Sequence, residues 1–201
     1  MDQEQNINLK NNQEPSKIKK ALSFVWEITK IVVIASVIVL PIRYFLFQPF
    51  IVKGESMVPS FQDGNYLIID EISYRFSEPQ RGDVIVFDAS FLARYAGQRF
   101  IKRVIGLPEE TVNIKNGKIT ISKGGKDLIL NESKYLPADF EIAQTVNITL
   151  NKDQYFVMGD NRGFSYDSRM WGALPKKEII GKVFLRILPV NELTKFNVIS
   201  Y

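Results

Sequence analysis

The serine in Gly54-Glu55-Ser56-Met57-Val58-Pro59 is the residue whose chemistry would matter most in this chain. A serine hydroxyl attacks a carbonyl only when a neighbouring base takes its proton. The usual base is missing. The 201 residues include no histidine and no cysteine, which rules out Ser-His-Asp and Cys-His nucleophiles. The partner of Ser56 must then be Lys, Asp, Glu, Tyr or a terminal amine, and lysine serves when its pKa is lowered. The same two absences exclude zinc sites built on imidazole or thiolate. No carboxylate spacing resembles an EF-hand, so neither metal nor cofactor is expected. Asp83 and Asp88 read as turn and salt-bridge residues rather than as a metal pair.

Lys102 is the lysine best placed to be desolvated. It lies in Phe100-Ile101-Lys102-Arg103-Val104-Ile105. Alternate residues of a strand share a face, so Lys102 projects with Phe100 and Val104 while Arg103 points the other way. Apolar neighbours disfavour the charged amine. A lowering of two pKa units corresponds to roughly 2.7 kcal/mol. Alternation by itself also suits a lysine that snorkels to solvent.

The elements that must position these two residues begin with a polar tail, residues 1–20, ending in Lys17, Lys19 and Lys20. That is the flank expected on the cytoplasmic side of a membrane span. Residues 21–44 read as a transmembrane anchor, charge-free over 31–42, with Trp26 and Tyr44 suited to the two interfaces. Glu27 and Lys30 sit near the cytoplasmic end, where snorkelling is available. No small-x-small cleavage site follows, so the anchor is expected to stay uncleaved and to place residues 45–201 outside the cytoplasm. Phe45 and the residues up to Phe50 are expected to rest in the outer leaflet.

Past the anchor the apolar period changes to two, predicting a mainly β domain of antiparallel sheet. Strands are expected at 66–70, 83–87 and 182–188. The clearest local signal is residues 111–122, where Val112, Ile114, Ile119 and Ile121 alternate around Asn116-Gly117, a preferred type I′ hairpin turn. Residues 88–99 read as a surface loop with a helical turn at 91–95, residues 123–150 as the rim of a small variable insertion, and 175–180 as a short helix. Apolar residues make up 45% of the chain and aromatics 12%, enough for one core. Basic and acidic residues number 26 and 22 and are dispersed, so nucleic acid is not an expected partner.

Four ordered blocks carry a resemblance. Gly54-Glu55-Ser56-Met57-Val58-Pro59, Arg81-Gly82-Asp83-Val84-Ile85-Val86-Phe87, Lys102-Arg103-Val104-Ile105-Gly106-Leu107-Pro108, and Gly159-Asp160-Asn161-Arg162 through Ser165, Asp167, Ser168 and Arg169 together resemble type I signal peptidases. The likeness runs from the anchor to about Gly181. It implies a membrane-bound serine endopeptidase that removes signal peptides from exported precursors after small residues in Ala-x-Ala-like sites. Ser56 would be the nucleophile and Lys102 the general base. Ser165 would hydrogen-bond the lysine, Asp167 and Arg169 would brace that block, and Asp160 would support it.

Some members carry a serine two positions before the nucleophile that helps bind the oxyanion; Gly54 stands there in this chain. Residue matching also implies shallow apolar pockets lined by Phe50, Val52, Met57, Phe100 and Ile101, with the peptide extended along strand edges. The implied setting is the plasma membrane, single-pass, with precursor proteins and the lipid bilayer as partners and the export machinery nearby. Two other readings remain: a different Ser-Lys peptidase, and an anchored binding protein of the same fold without activity.

Overall fold

The computed structural model describes residues 17–41, 47–137, 140 and 142–195. The expectations for residues 1–16 and for Tyr44 and Phe45 lie outside that set. The chain divides into an N-terminal unit ending at Ile42 and a second beginning at Arg43.

The described part of the first unit is one helix, α1, Lys17–Pro41. At 1.5 Å per residue its 25 residues make a rod of about 37 Å, longer than a bilayer's hydrocarbon core of ~30 Å. Ala21–Leu40 has a mean hydropathy of 2.0. The chain covers almost none of it: from Ala21 to Leu40 only Ser36 is partly buried. Within it Thr29 Oγ1 donates to the Val25 carbonyl at 2.8 Å, so the threonine's polar group is satisfied within the helix.

The second unit is mainly β. Its large sheet has the order β1 (Phe47–Ile51), β2 (Tyr66–Asp70), β11 (Ile179–Leu188), β3 (Val84–Asp88), β4 (Arg99–Gly106), β9 (Gln154–Met158) and β10 (Leu174–Pro175), all antiparallel, with β12 (Thr194–Lys195) on β11. The long strand β11 joins the halves, pairing β3 through Ile179 to Lys182 and β2 through Lys182 to Leu188, with bulges in both ladders. β3 reads as an unbroken apolar run because both its faces are covered. Val84 and Val86 pack with Val52, Met57, Phe61 and Ile101, whereas Ile85 and Phe87 pack with Val104, Tyr155 and Val157. Each such fully buried aliphatic or aromatic side chain contributes roughly 1.5–3 kcal/mol.

A second sheet has the order β7 (Lys126–Ile129), β6 (Lys118–Lys123), β5 (Thr111–Lys115) and β8 (Val146–Thr149). The expected hairpin is β5–β6: Lys115 pairs with Lys118, and Asn116 and Gly117 have φ of 51° and 74°. Positive φ at both central residues is what a type I′ turn requires. Residues 123–150, expected as a rim with few regular repeats, supply β7 and β8. Leu130, Ile142 and Leu150 from that stretch join Ile105, Val112, Ile114, Phe156 and Met158 in a third core. The helix expected at 175–180 is a single 3-10 turn, Lys176–Glu178, because the chain enters β11 at Ile179. The helical turn expected at 91–95 is likewise one 3-10 turn, Ala93–Tyr95. Asp83 and Asp88 both cap turns, Asp83 accepting from Tyr74 Oη and Gln80 N and Asp88 from Ser90 N. Neither is in an ion pair among the described residues.

Candidate active site

Ser56 sits in the loop between β1 and β2. The loop is closed at its base by bonds from Val52 N to the Asn65 carbonyl and from Gly64 N to the Val52 carbonyl, at 3.0 and 2.9 Å. Gly54, at φ 84°, donates its N–H to Asp63 Oδ1 at 2.7 Å, which fixes the approach to the serine. Met57 and Phe61 are fully buried beneath, so the residue after Ser56 is pinned in the core while Ser56 itself is only partly covered.

Lys102 reaches this loop from the middle of β4, and only 4% of it is exposed. Its Nζ lies 2.9 Å from Ser56 Oγ and donates to the Ile101 carbonyl at 2.9 Å. The Phe100 ring centre is 5.5 Å away, consistent with the shared face read from alternation. Burial lowers the Lys102 pKa to about 8; Asp167 and Asp160 oppose that fall and Arg169 adds to it. A group half neutral near pH 8 is a far better base at working pH than an ordinary lysine.

The segment from Gly159 to Arg169 closes the site from a third direction. Asp167 is fully buried, accepts from Gly159 N at 2.9 Å, and caps the short helix α2, Ser168–Trp171. Arg169 grips both oxygens of Asp167, Nε to Oδ1 at 2.8 Å and Nη2 to Oδ2 at 2.7 Å. Asp160 does not touch the Ser–Lys pair; it takes a two-pronged bond from Arg103 at 2.8 and 2.6 Å. Asn161 donates its backbone N–H to the Ser56 carbonyl at 3.0 Å and its side-chain Nδ2 to the Glu55 carbonyl at 3.1 Å. Gly159 allows this close approach: a Cβ there would lie 2.4 Å from the Ser56 carbonyl oxygen and 2.2 Å from Ser165 Oγ.

Ser165 departs from the expected arrangement. Its Oγ is buried and makes no hydrogen bond; the bond that holds Lys102 besides Ser56 comes from the Ile101 carbonyl.

Ser56 and Lys102 open onto a cleft of about 630 Å³. Phe50, Phe100 and Ile101 line it, as does Gly54. Val52 and Met57, assigned to the pocket by residue matching, do not: at 1% and 0% exposure they belong to the core under the loop, packed with Phe61, Val84 and Ile101. In their place the wall includes Tyr95, Phe164 and Tyr166, which the sequence reading missed. Tyr95 stands 5.1 Å from Phe100 and 5.4 Å from Tyr166, ring centre to ring centre. The signal that could have found them is an aromatic residue on each side of Ser165 and the aromatic pair Phe91 and Tyr95 in the 88–99 loop. A larger cavity, about 790 Å³, is lined by Pro59, Ser60, Arg103, Lys182 and Arg186 among others and holds neither Ser56 nor Lys102, so size does not mark the chemistry here.

Residues 25–188 match the family described as signal peptidase, peptidase S26. A probable signal peptidase I-1 of Synechocystis sp. is 37% identical over 185 residues, covering 88% of this chain and 89% of that one. A signal peptidase I of Leptolyngbya laminosa is 38% identical over 180 residues, covering 87% and 85%. A signal peptidase I of Bacillus licheniformis is 35% identical over 193 residues, covering 91% and 98%. The crystal structure of a signal peptidase I from Enterococcus faecalis is 30% identical, covers 53% of this chain and 97% of its own, and superposes with a TM-score of 0.42.

Proposed function

Because the chain belongs to the signal peptidase family, peptidase S26, we propose that its removal of signal peptides runs through Ser56 as nucleophile and Lys102 as general base. The observation that carries this reading is the 2.9 Å separation of Lys102 Nζ and Ser56 Oγ at a buried lysine whose pKa is pushed down to about 8. The neutral amine turns its lone pair to Ser56 and takes the hydroxyl proton as Oγ attacks the scissile carbonyl carbon. The developing oxyanion is met by the Ser56 N–H, since Gly54 offers no hydroxyl. Lys102 then passes its proton to the leaving amine, the C–N bond breaks, and an acyl-serine remains. A water molecule, its proton taken by the same amine, hydrolyses that ester and frees Ser56.

While protonated, Lys102 has three N–H groups. One stays on the Ile101 carbonyl and one faces the reacting oxygen. Ser165 Oγ is the acceptor for the third. It is buried without a partner against Gly159, beside the Ser56 carbonyl, and a buried polar atom left unpaired in the resting state is explained by a partner that appears during reaction. Asp167 and Arg169 hold the segment that carries it.

The substrate is a precursor protein with small residues at the cut, in an Ala-x-Ala-like pattern, lying extended between the β1 side and Phe100-Ile101. Helix α1 is the anchor: an exposed apolar rod is stable in lipid, and Lys17, Lys19 and Lys20 in its first turn favour a cytoplasmic N-terminus, with the β domain across the plasma membrane near the export machinery. The test is cleavage of an Ala-x-Ala precursor by the full chain in lipid. Wild type should cut at that site, while Ser56→Ala and Lys102→Met remain folded and inactive. Full activity in Lys102→Met would show that another base serves Ser56.

A further inference from the structure

The Ser56 N–H is a backbone group, so its aim depends on what holds its peptide plane. In a planar trans peptide the carbonyl of one residue and the N–H of the next point in opposite directions. The Glu55–Ser56 peptide is trans, and its carbonyl is held from two sides: Val58 N at 3.2 Å, within the turn, and Asn161 Nδ2 at 3.1 Å, across 106 residues. The next carbonyl, that of Ser56, is held by Asn161 N at 3.0 Å. One residue therefore grips two consecutive carbonyls on the same side of the nucleophile's backbone.

The Ser56 N–H makes no hydrogen bond among the described residues. Gly54, Glu55 and Ser56 belong to the cleft wall and Asn161 does not. Fixing the Glu55 carbonyl toward Asn161 thus turns the Ser56 N–H away from Asn161. A turn closed by the Val58 bond alone could rock about its ends; the carboxamide adds a second point of attachment to a segment itself anchored by Asp167. Only the amide nitrogen suits this place, because a carbonyl oxygen accepts and does not donate.

We propose that Asn161 is a positioning residue for the oxyanion donor. It does not touch substrate; it fixes the peptide plane whose N–H meets the charge that develops on the scissile oxygen. This rests on the Ser56–Lys102 reading above and adds to it a residue whose residue type has a mechanical reason.

The consequence is selective for the transition state. Loss of one oxyanion donor lowers turnover by roughly 10²–10³-fold in serine peptidases, and misaiming a donor that is still present should cost somewhat less, at or just below the bottom of that range. The experiment uses the full chain in detergent, with an Ala-x-Ala peptide as substrate, an uncleavable analogue of it, and a peptide aldehyde. Ser56 Oγ adds to the aldehyde carbon, with its proton passing through Lys102, to give a hemiacetal whose oxygen occupies the oxyanion position. Asn161→Ala and the isosteric Asn161→Asp should lower kcat by about 30–100-fold with KM within threefold. Aldehyde affinity should weaken by a similar factor, while affinity for the uncleavable peptide and the melting temperature stay at wild-type values.

The inference is overturned if both variants keep more than a third of wild-type kcat. It is overturned as well if kcat falls while the aldehyde still binds as to wild type, or if aldehyde and uncleavable peptide weaken together. Failure of both variants to fold would assign the two bonds to holding the loop rather than aiming one N–H, and would also overturn it. Ser56→Ala in the same series keeps the two readings apart: if it still cleaves, the Ser–Lys mechanism fails whatever the Asn161 variants do.

Discussion

Replacing Lys102 by methionine should abolish activity and, at neutral pH, stabilise the fold. Methionine keeps an unbranched, apolar stem in the space β4 provides and removes the amine. In the folded chain the amine titrates near pH 8, against 10.5 for the free group, because burial penalises its charge. The gap of about 2.5 pKa units is worth about 3 kcal/mol. The folded-state value lies below the unfolded one, so between pH 8 and 10.5 the unfolded chain holds the extra proton and stability rises with pH through that window. Below pH 8 the whole penalty is present; above 10.5 it is gone.

From pH 6.5 to 9.5 this single group should add about 2 kcal/mol to wild-type stability, and Lys102→Met should lack that increment. At pH 6.5 the variant gains the removed penalty and forfeits two hydrogen bonds of about 1 kcal/mol each, a net gain of about 1–2 kcal/mol. Urea unfolding in detergent would measure it, with Trp26→Phe in both proteins so that fluorescence reports Trp171, packed 6.1 Å from Phe87 and 5.3 Å from Phe91. Other titrating groups are common to both chains and cancel in the difference. A wild-type-minus-variant stability that stays flat across this pH range would mean that Lys102 is not desolvated in the fold, and the argument for a neutral base would lose its physical cause.

Three further outcomes follow from the same geometry. The rate constant kcat/KM should rise with pH about tenfold per unit up to pH 8 and level off above it, since the neutral Lys102 is the active form and its pKa is about 8; a profile flat from pH 6 to 9 would contradict it. Gly159→Ala should cost at least about 10²-fold in activity, because its Cβ would press to 2.4 Å on the Ser56 carbonyl oxygen, and adding Ser165→Ala should restore little, since the backbone clash remains. Ser165→Ala alone should leave stability unchanged or raised, as it removes an unpaired buried hydroxyl, yet lower kcat by at least tenfold. Equal kcat in Ser165→Ala and wild type would leave the third lysine N–H without the acceptor assigned to it.

What could be read from the sequence was what is local or depends on residue type. The Asn116-Gly117 hairpin was legible because both its conformation and its register are set within a few residues. The Lys102 environment was legible because strand alternation fixes its face, and the absence of histidine narrowed the possible bases. Residue matching places Val52 and Met57 at the pocket but carries no information on which way a side chain faces, and in the turn beyond β1 burial is set by contacts with Phe61, Val84 and Ile101. Tyr95, Phe164 and Tyr166 were missed for a related reason: a loop side chain has no periodicity to announce its direction.

The 123–150 segment bears on the candidate active site more directly than a variable rim would. Glu132, in the segment after β7, pairs with Arg162 at 2.7 Å, with side chains 3% and 1% exposed. Arg162 Nε in turn donates to the Gly159 carbonyl, and the Tyr135 ring lies 4.0 Å from the Arg103 guanidinium that holds Asp160. Gly159, Asp160 and Arg162 are thus each tied to neighbours outside their own turn, and Asn161, between them, holds the nucleophile's backbone. Removing one partner of a buried ion pair costs about 3–5 kcal/mol, which leaves this stretch little freedom to drift. In sequence the Glu132 stretch looks irregular because its order derives from contacts with residues near 103 and 160, and such an order has no local pattern. On the proposed mechanism Glu132 and Tyr135 therefore act on the chemistry at a distance, by keeping the segment that grips Ser56 in place.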